Sequence, residues 1–425
     1  MTLEFSKLTD QVYKLGAMID QLDFDLTDKL EIAKERFANA NDLNAIHERI
    51  HLVRQSDISG YRGAAPLDRP HNIPINFIHP APLVPERATI IAVDGSQIYP
   101  YEQSPIHFYL LNIGIFTYQH GVPHVPQPQT LPKLFYHKDH VHDGSGRVVG
   151  NRTVDARRTV LEMQILAQTA WTTHRQNRSP IVALYDNQLM FWANPDVIGG
   201  GQLMKDYHGA LQHLSDVQAN GVRVSLAGYV DNPVRSRVML RLLFLMSLQD
   251  EYEMKARERE LAEGGDLEGL RDIHLFRSIL KVGERSAVMV QNSPRNYAYK
   301  KLNPSHEIAF FYIKVGTETR SNVARVDVPM WVARDPLALD DLHATLVVQS
   351  TMQGNNPYPY ALTRADELAY VSGKDKKKLD EMIHLEMRRK GIAPGMSNPK
   401  ARGKTLARSD QQQYELRTDL SRTDL

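Results

Sequence analysis

Apolar positions recur at helical spacing through the first sixty residues: Leu8, Val12, Leu15, Ile19, Leu22, then Leu30, Ile32 and Phe37. The stretch between them is polar. This pattern predicts one or two long amphipathic helices, an N-terminal arm that packs on the remaining chain or on a second copy. Pro66, Pro70, Pro74, Pro80, Pro82 and Pro85 then mark an irregular connector over 60–87. The pattern next changes to short apolar runs. Residues 89–93 are β-branched and apolar and predict a buried strand ending at Asp94-Gly95-Ser96, where the chain turns at the rim of a sheet. A returning strand spans 106–116. A His-, Pro- and Gly-rich stretch over 118–150 predicts an irregular excursion. In it Asp143-Gly144-Ser145 repeats the tripeptide without a leading apolar run, which marks an ordinary surface turn.

A helix over 152–177, with Thr153 as N-cap, carries Glu162 among Val160, Leu161, Ile165 and Leu166. The run 181–185 is a second apolar strand ending in an acid, Asp186. If the two strands are parallel neighbours, Asp94 and Asp186 stand side by side at the end of the sheet where open α/β folds bind ligands. Gly199-Gly200-Gly201 precedes a helix over 203–219. A third strand covers 222–230, and a turn at Asp231-Asn232-Pro233 leads into a long helix over 234–260 with Arg235, Arg237 and Arg241 on its first turns. A short helix over 272–284, an antiparallel pair at 309–315 and 323–328, and a helix over 336–350 holding His343 follow. Pro357 and Pro359 stop the chain before a helix that presents Arg364 and Asp366. The alternation defines an α/β fold: a mixed central sheet flanked by helices, with the N-terminal helical arm. The expected division is an arm and connector over 1–75, a catalytic domain over 76–372, and a basic tail over 373–425, disordered from about 395.

Composition narrows the function. The chain has 425 residues, 42% hydrophobic and 24% charged, as in a soluble globular protein. A net charge of +1 advertises no global attraction to nucleic acid, so such binding rests on local patches. The absence of cysteine excludes disulfides, thiolate nucleophiles and zinc-thiolate sites. No apolar run is long enough to span a bilayer, and Glu4, Asp10 and Asp20 do not suit a secretory signal, so no membrane association and a cytoplasmic location are expected. His120, His124, His137, His140 and His142 crowd one segment, but their spacing suits no helix or strand metal site.

Asp94, Glu162, Asp186 and Asp366 come from separate elements and form a candidate carboxylate cluster. Clustered carboxylates repel unless a cation neutralises them. Hard oxygen donors select Mg²⁺ or Mn²⁺, and two such ions are a standard means of cutting a phosphodiester. In that scheme Asp94 bridges both metals while Glu162, Asp186 and Asp366 complete the shells. Arg157, Arg158, Arg235 and Arg237 are candidates to grip phosphates. Glu162 also has a plainer reading, an ion pair one helical turn from Arg158. There is no Walker A sequence, so motor activity has to come from a partner.

Ala92-Val93-Asp94-Gly95-Ser96, the helix with Glu162, the strand ending at Asp186 and the segment Tyr358-Pro359-Tyr360…Ala365-Asp366 resemble the NurA nuclease family over about 85–372. The resemblance implies a ribonuclease H-like fold and a manganese-dependent DNA nuclease of 5′–3′ exonuclease and single-strand endonuclease type. It further implies a homodimer acting on single-stranded DNA and duplex ends with a HerA-type hexameric ATPase in end resection, repair or defence. On this likeness Asp94, Glu162 and Asp186 are metal ligands, and a catalytic tyrosine falls on Tyr358 or Tyr360. The chain departs from the family pattern at Asp366, where a histidine is usual, and at Asp231, near the place of a missing lysine. Two other readings compete. One is a non-catalytic DNA-clamp or ATPase-docking subunit. The other is an actin-like ATP-binding phosphotransferase, whose second phosphate loop Asp186-Asn187-Gln188 does not supply.

Overall fold

The computed structural model describes residues 5–55, 58, 61–101, 104 and 106–391, without the side chains of 17 and 19–25. The expected disordered tail over 395–425 lies outside these residues. In chain order the elements are α1 (Thr9–Ala38), α2 (Leu43–Gln55), β1 (Ala64–Pro66), β2 (Ile78–His79), β3 (Ala88–Ile98), β4 (Tyr109–His120), β5 (Gln127–Phe135), α3 (Lys138–Val141) and α4 (Asn151–Gln176). Then come β6 (Ile181–Tyr185), α5 (Gly200–Ala219), β7 (Val224–Val230), α6 (Val238–Ser247), α7 (Glu251–Ala256), α8 (Glu258–Leu261), α9 (Asp272–Ile279), β8 (Arg285–Ser286) and β9 (Met289–Gln291). The chain continues with α10 (Pro294–Leu302), β10 (Ile308–Gly316), β11 (Ser321–Pro329), α11 (Met330–Ala333), α12 (Pro336–Thr351), α13 (Tyr360–Ala369) and α14 (Gly373–Arg389).

One mixed sheet runs in the order β1-β9-β10-β11-β7-β6-β3-β4-β5. Its middle is the expected α/β arrangement. β3, β6 and β7 are parallel neighbours, and β7, β11 and β10 continue antiparallel. Counted from β3, the five strands β5-β4-β3-β6-β7 have the 3-2-1-4-5 order of a ribonuclease H-like sheet. The parallel strands are apolar throughout because both faces are covered. Ile90, Ala92, Val182 and Leu184 face a core shared with α6, α9, α12 and α13. Ile91, Val93, Ile181, Ala183 and Tyr185 face the opposite core, filled by Val160, Met163 and Leu166 of α4 and Tyr207, Leu211 and Leu214 of α5.

Several boundaries differ from the sequence reading. β3 does not turn at Asp94 but continues to Ile98, because its ladder with β6 ends at Val93 while the strand still has β4 as a neighbour. The excursion after β4 holds a strand, β5, exposed along nearly all its length. Its Pro128 and Pro132 are tolerated because it is the edge strand. Thr153 is not an N-cap: α4 begins at Asn151, and the Thr153 hydroxyl instead accepts from the Ile198 N–H. The long helix expected over 234–260 is three short ones. Asp250 breaks it by accepting from the Glu253 N–H and starting α7 afresh.

Chain contacts divide the molecule into two compact units. The first comprises residues up to 96, 111–133 and 152–370 and holds nearly all of the sheet, the flanking helices and the N-terminal arm. The second comprises 97–110, 134–151 and the chain from 371. Within it Tyr109 stacks on Phe135 at 4.6 Å, His107 Nδ1 meets His142 Nε2 at 2.9 Å, and the Asp143 carboxylate closes its own turn by accepting from the Ser145 and Arg147 N–H groups. The beginning of the expected basic tail is the helix α14, started by a Ser372–Asp375 capping box.

Candidate active site

The parallel register of β3 and β6 pairs Val93 with Tyr185, so Asp94 and Asp186, the next residues on each strand, are neighbours. Pleating turns both acids to the face opposite Val93 and Tyr185, the face on which α13 packs. Glu162 approaches from the other face, on α4, and is only 2% exposed. It can reach β3 because residue 95 is glycine. A Cβ on Gly95 would collide with Glu162 Oε1 and come within 3.1 Å of Arg158 Cγ. The missing side chain opens the strand to a charge from the opposite layer.

Two of the acids, Glu162 and Asp186, are held by specific side chains. Arg158 Nε lies 3.2 Å from Glu162 Oε1, so the plain ion-pair reading of Glu162 holds, and Arg158 Nη1 donates to the Gly95 carbonyl at 3.1 Å. The Tyr185 hydroxyl donates to Glu162, and the Tyr358 hydroxyl donates to Asp186. Tyr358 also sits edge-on against Tyr229 at 5.3 Å. Tyr360, the alternative tyrosine, packs edge-on against Phe116 instead. The loop after Asp186 is fixed by its backbone. The Leu189 N–H donates to Asp327, and the Leu189 and Phe191 carbonyls accept from Tyr207 and Tyr299. Gly228 leaves room for the Asn187 carbonyl, with which a side chain would collide.

Asp366 arrives on α13. That helix lies directly on β4 because Gly114 has no side chain: a Cβ there would strike the Ala365 carbonyl and come within 2.6 Å of the Ala369 nitrogen. The Ser96 hydroxyl and Asn112 amide donate to the Ala369 carbonyl at the end of the helix. Asp366 itself is exposed, at the rim of the cluster.

The electrostatics show that these acids share one field. Burial pushes the Asp94 carboxyl up to about 6, and the charges of Asp186 and Asp366 add to the rise. Burial pushes Glu162 up to about 8; Arg158 opposes this and Asp94 reinforces it. Asp186 is also raised, by burial and then by Asp366 and Asp231, against the Tyr358 hydrogen bond. Among the described residues no group of three or more His, Asp or Glu side chains is placed to hold a metal ion between them. The donor set nevertheless fits a divalent cation. All the donors are hard carboxylate oxygens and their mutual repulsion calls for positive charge, of which Arg158 supplies one at Glu162 Oε1.

The structure thus brings Asp94, Glu162, Asp186, Asp366, Tyr358 and Arg158 together. Arg157 is half-buried beside Arg158 on α4. Arg235 and Arg237 are not on a helix. They lie in the 231–237 loop between β7 and α6, lining a cleft with Asp231 and Gln188. Tyr185 escapes a sequence reading as a functional residue because an aromatic at the end of an apolar run reads as core.

The family model of the NurA domain matches residues 88–371, about two-thirds of the chain. No curated protein matches significantly in sequence. Among solved structures, the NurA nuclease of Sulfolobus solfataricus is 12% identical over 92% of this chain and 98% of its own, with a TM-score of 0.42. A structure of NurA with manganese is 12% identical over 72% of this chain and 91% of its own, with a TM-score of 0.31. The extent of the family-model match shows that this chain belongs to the NurA family.

Proposed function

We propose that the chain is a divalent-metal-dependent deoxyribonuclease. The observation that carries this reading is the register that sets Asp94 beside Asp186, with Glu162 admitted to the same field through Gly95. Asp94, Glu162 and Asp186 are the residues to hold Mn²⁺ or Mg²⁺, as two ions in the fullest form of the scheme, with Asp366 at the rim. Bound there, such ions supply positive charge to a phosphodiester and acidify water.

The protein's own groups do the rest. Tyr358 fixes the orientation of Asp186 by donating to it. Arg158 anchors Glu162 and the backbone of β3 together. Arg235 and Arg237 offer guanidinium groups to the phosphates beside the cluster. The S. solfataricus protein is described as a nuclease and the other structure as containing manganese, which agrees with this reading. In the same proposal the enzyme works as a homodimer with a HerA-type hexameric ATPase on DNA ends, in the cytoplasm. No helix among the described residues is long and apolar enough to cross a membrane.

The test is cleavage of linear duplex and single-stranded DNA with Mn²⁺, wild type beside Asp94→Ala. Wild-type cleavage that Asp94→Ala abolishes supports the proposal. An Asp94→Ala protein as active as wild type overturns the assignment of the site.

A further inference from the structure

Tyr185 ends β6 and Asp186 follows it directly, so pleating sends their side chains to opposite faces of the sheet. Tyr185 enters the core under α4 and α5, among Val160, Met163 and Tyr207, and is 2% exposed. Asp186 stands on the other face, where the Tyr358 hydroxyl holds it. The Tyr185 hydroxyl holds Glu162 in the same way. One peptide unit of β6 therefore sets the separation of two acids that come from different elements and different layers.

The direction of that bond is fixed from behind. Thr159, half-buried on α4, donates its hydroxyl proton to the Tyr185 oxygen. A phenol has one proton of its own to give, and here it goes to Glu162. Among the described residues Glu162 Oε1 accepts no hydrogen bond; it faces Arg158 Nε at 3.2 Å and the gap at Gly95. The Tyr185 bond therefore falls on Oε2. Arg158 alone, one turn away on the same helix, would leave the carboxylate able to turn, because the last torsion of a glutamate is broad and roughly two-fold. A second bond, made to the sheet, removes that freedom.

We propose that Tyr185 is a positioning residue of the site: it clamps Oε2 of Glu162 to the strand end that carries Asp186 and commits Oε1 to the side of β3. The inference rests on the nuclease reading and adds to it the group that orients Glu162 toward a divalent ion. Carboxylates that ligate metals depend on such outer partners, whose loss typically costs about 10–100-fold in metal affinity. A core tyrosine whose hydroxyl merely finds a partner would affect stability and leave metal affinity alone.

The experiment is calorimetric titration of Mn²⁺ into the full chain without DNA, beside steady-state cleavage. Tyr61→Phe is the structural comparison: its hydroxyl is also buried and donates to the Ala64 carbonyl at 2.8 Å, beside β1 at the far end of the sheet. Both Tyr185→Phe and Tyr61→Phe are expected to lower Tm by about 2–4 °C. Only Tyr185→Phe should weaken Mn²⁺ binding, about tenfold, and lower kcat about tenfold with KM for DNA within about twofold of wild type. Added to Glu162→Gln, Tyr185→Phe should change Mn²⁺ affinity less than about twofold, because the group it acts through is already altered. Thr159→Val should weaken binding about threefold, and it carries the test if Tyr185→Phe fails to fold. Wild-type Mn²⁺ affinity in both Tyr185→Phe and Thr159→Val overturns the clamp. So does a tenfold loss that persists in the Glu162→Gln background. Crystal structures of wild type and Tyr185→Phe in EDTA read the clamp without metal: the Glu162 carboxyl should turn by about 30° or more. A wild type that neither binds Mn²⁺ nor cleaves DNA strikes the nuclease reading, and those two crystal structures then decide, an unmoved Glu162 overturning the clamp.

Discussion

Glu162 occupies the space that a side chain on Gly95 would need. This one contact joins the helix layer to the strand that carries Asp94, and it explains why a glycine interrupts a strand that runs on to Ile98. Gly95→Ala is therefore expected to displace Glu162 and Arg158 together. Overpacking of this kind costs about 1–3 kcal/mol of stability. The loss of activity should be larger than that cost suggests, roughly 100-fold or more, because misplacing a reacting group by about an ångström is enough. Thermal unfolding beside a Mn²⁺-dependent cleavage assay separates the two effects. Wild-type activity in the Gly95→Ala enzyme would show that Glu162 is not needed where it stands.

The raised carboxyls give the apo protein a defined pH dependence. Folding lifts Glu162 to about 8 and Asp94 to about 6, above the usual carboxylate range. A group raised by folding contributes stability below its unfolded pKa and loses it as pH rises through the folded one. In EDTA the protein should be more stable near pH 5 than near pH 8.5, by on the order of 3 kcal/mol. Glu162→Gln should flatten that difference. Mn²⁺ has to displace the same protons, so its affinity should climb between pH 6 and pH 8. Denaturant melts with and without Mn²⁺ measure both trends, and an apo protein equally stable at the two pH values contradicts the burial argument.

Tyr358 donates to Asp186 and is itself pushed well above the ordinary tyrosine range, by burial and then by the Asp186 charge. It is thus a fixed donor at working pH and no proton shuttle. Tyr358→Phe should leave the fold within about 1 kcal/mol of wild type, since the ring still packs on Tyr229. It should lower kcat about tenfold and move the acidic limb of the pH–rate profile upward, because Asp186 loses the group that favours its ionised form. Tyr360→Phe, which removes a hydroxyl away from Asp186, is the comparison. Equal effects of the two substitutions would remove the positioning role.

How much of this was legible in the chain depended on where a residue's partner lay. The strands at 89–93 and 181–185 were readable because strands covered on both faces must be apolar at every position, and their acidic ends followed at once. The side-by-side placement of Asp94 and Asp186 was legible only as a condition, because β6 returns to pair parallel with β3 after β4, β5 and α4, a long-range pairing that local sequence does not mark. β5 was hidden because an exposed edge strand needs no apolar pattern and tolerates Pro128 and Pro132. The break at Asp250 was hidden because capping competes with helix continuation only through a side-chain bond to Glu253. Gly95, Gly114 and Tyr185 owe their roles to what packs opposite them, from segments far along the chain, and local sequence carries no mark of that.

Gly114 supports Asp366 in the way Gly95 supports Glu162. It lets α13 rest on β4 at backbone distance, with the Ala369 carbonyl tied down by Ser96 and Asn112. Gly114→Val should push the helix off the sheet and cost about 2–3 kcal/mol. Asp366→Asn, at an exposed position, should leave stability within about 0.5 kcal/mol. It removes a charge that raises both Asp94 and Asp186, so the pH at which the site ionises should fall. If Asp366 also ligates a metal, the apparent Mn²⁺ affinity should drop about tenfold; if it only contributes field, affinity near neutral pH should hold or improve. Isothermal titration of Mn²⁺ into the Asp366→Asn protein decides between these roles.

Asp272 supplies the last prediction, and it bears on the arginine loop. The carboxylate is fully buried at the N-terminus of α6, where it accepts from three backbone N–H groups, from Ser236 Oγ and from the Tyr312 hydroxyl at 2.6 Å. Asp272→Asn keeps the shape but replaces an acceptor with an NH₂ group that faces donors, which should cost about 3 kcal/mol or more. The effect should spread to the loop. With Ser236 and Val238 released, Arg235 and Arg237 lose their fixed positions, and cleavage of single-stranded DNA should fall while the carboxylate cluster stays intact. Hydrogen exchange of the Val238, Met239 and Leu240 amides checks the mechanism: protection that survives in Asp272→Asn would show that the loop is held by something other than this carboxylate.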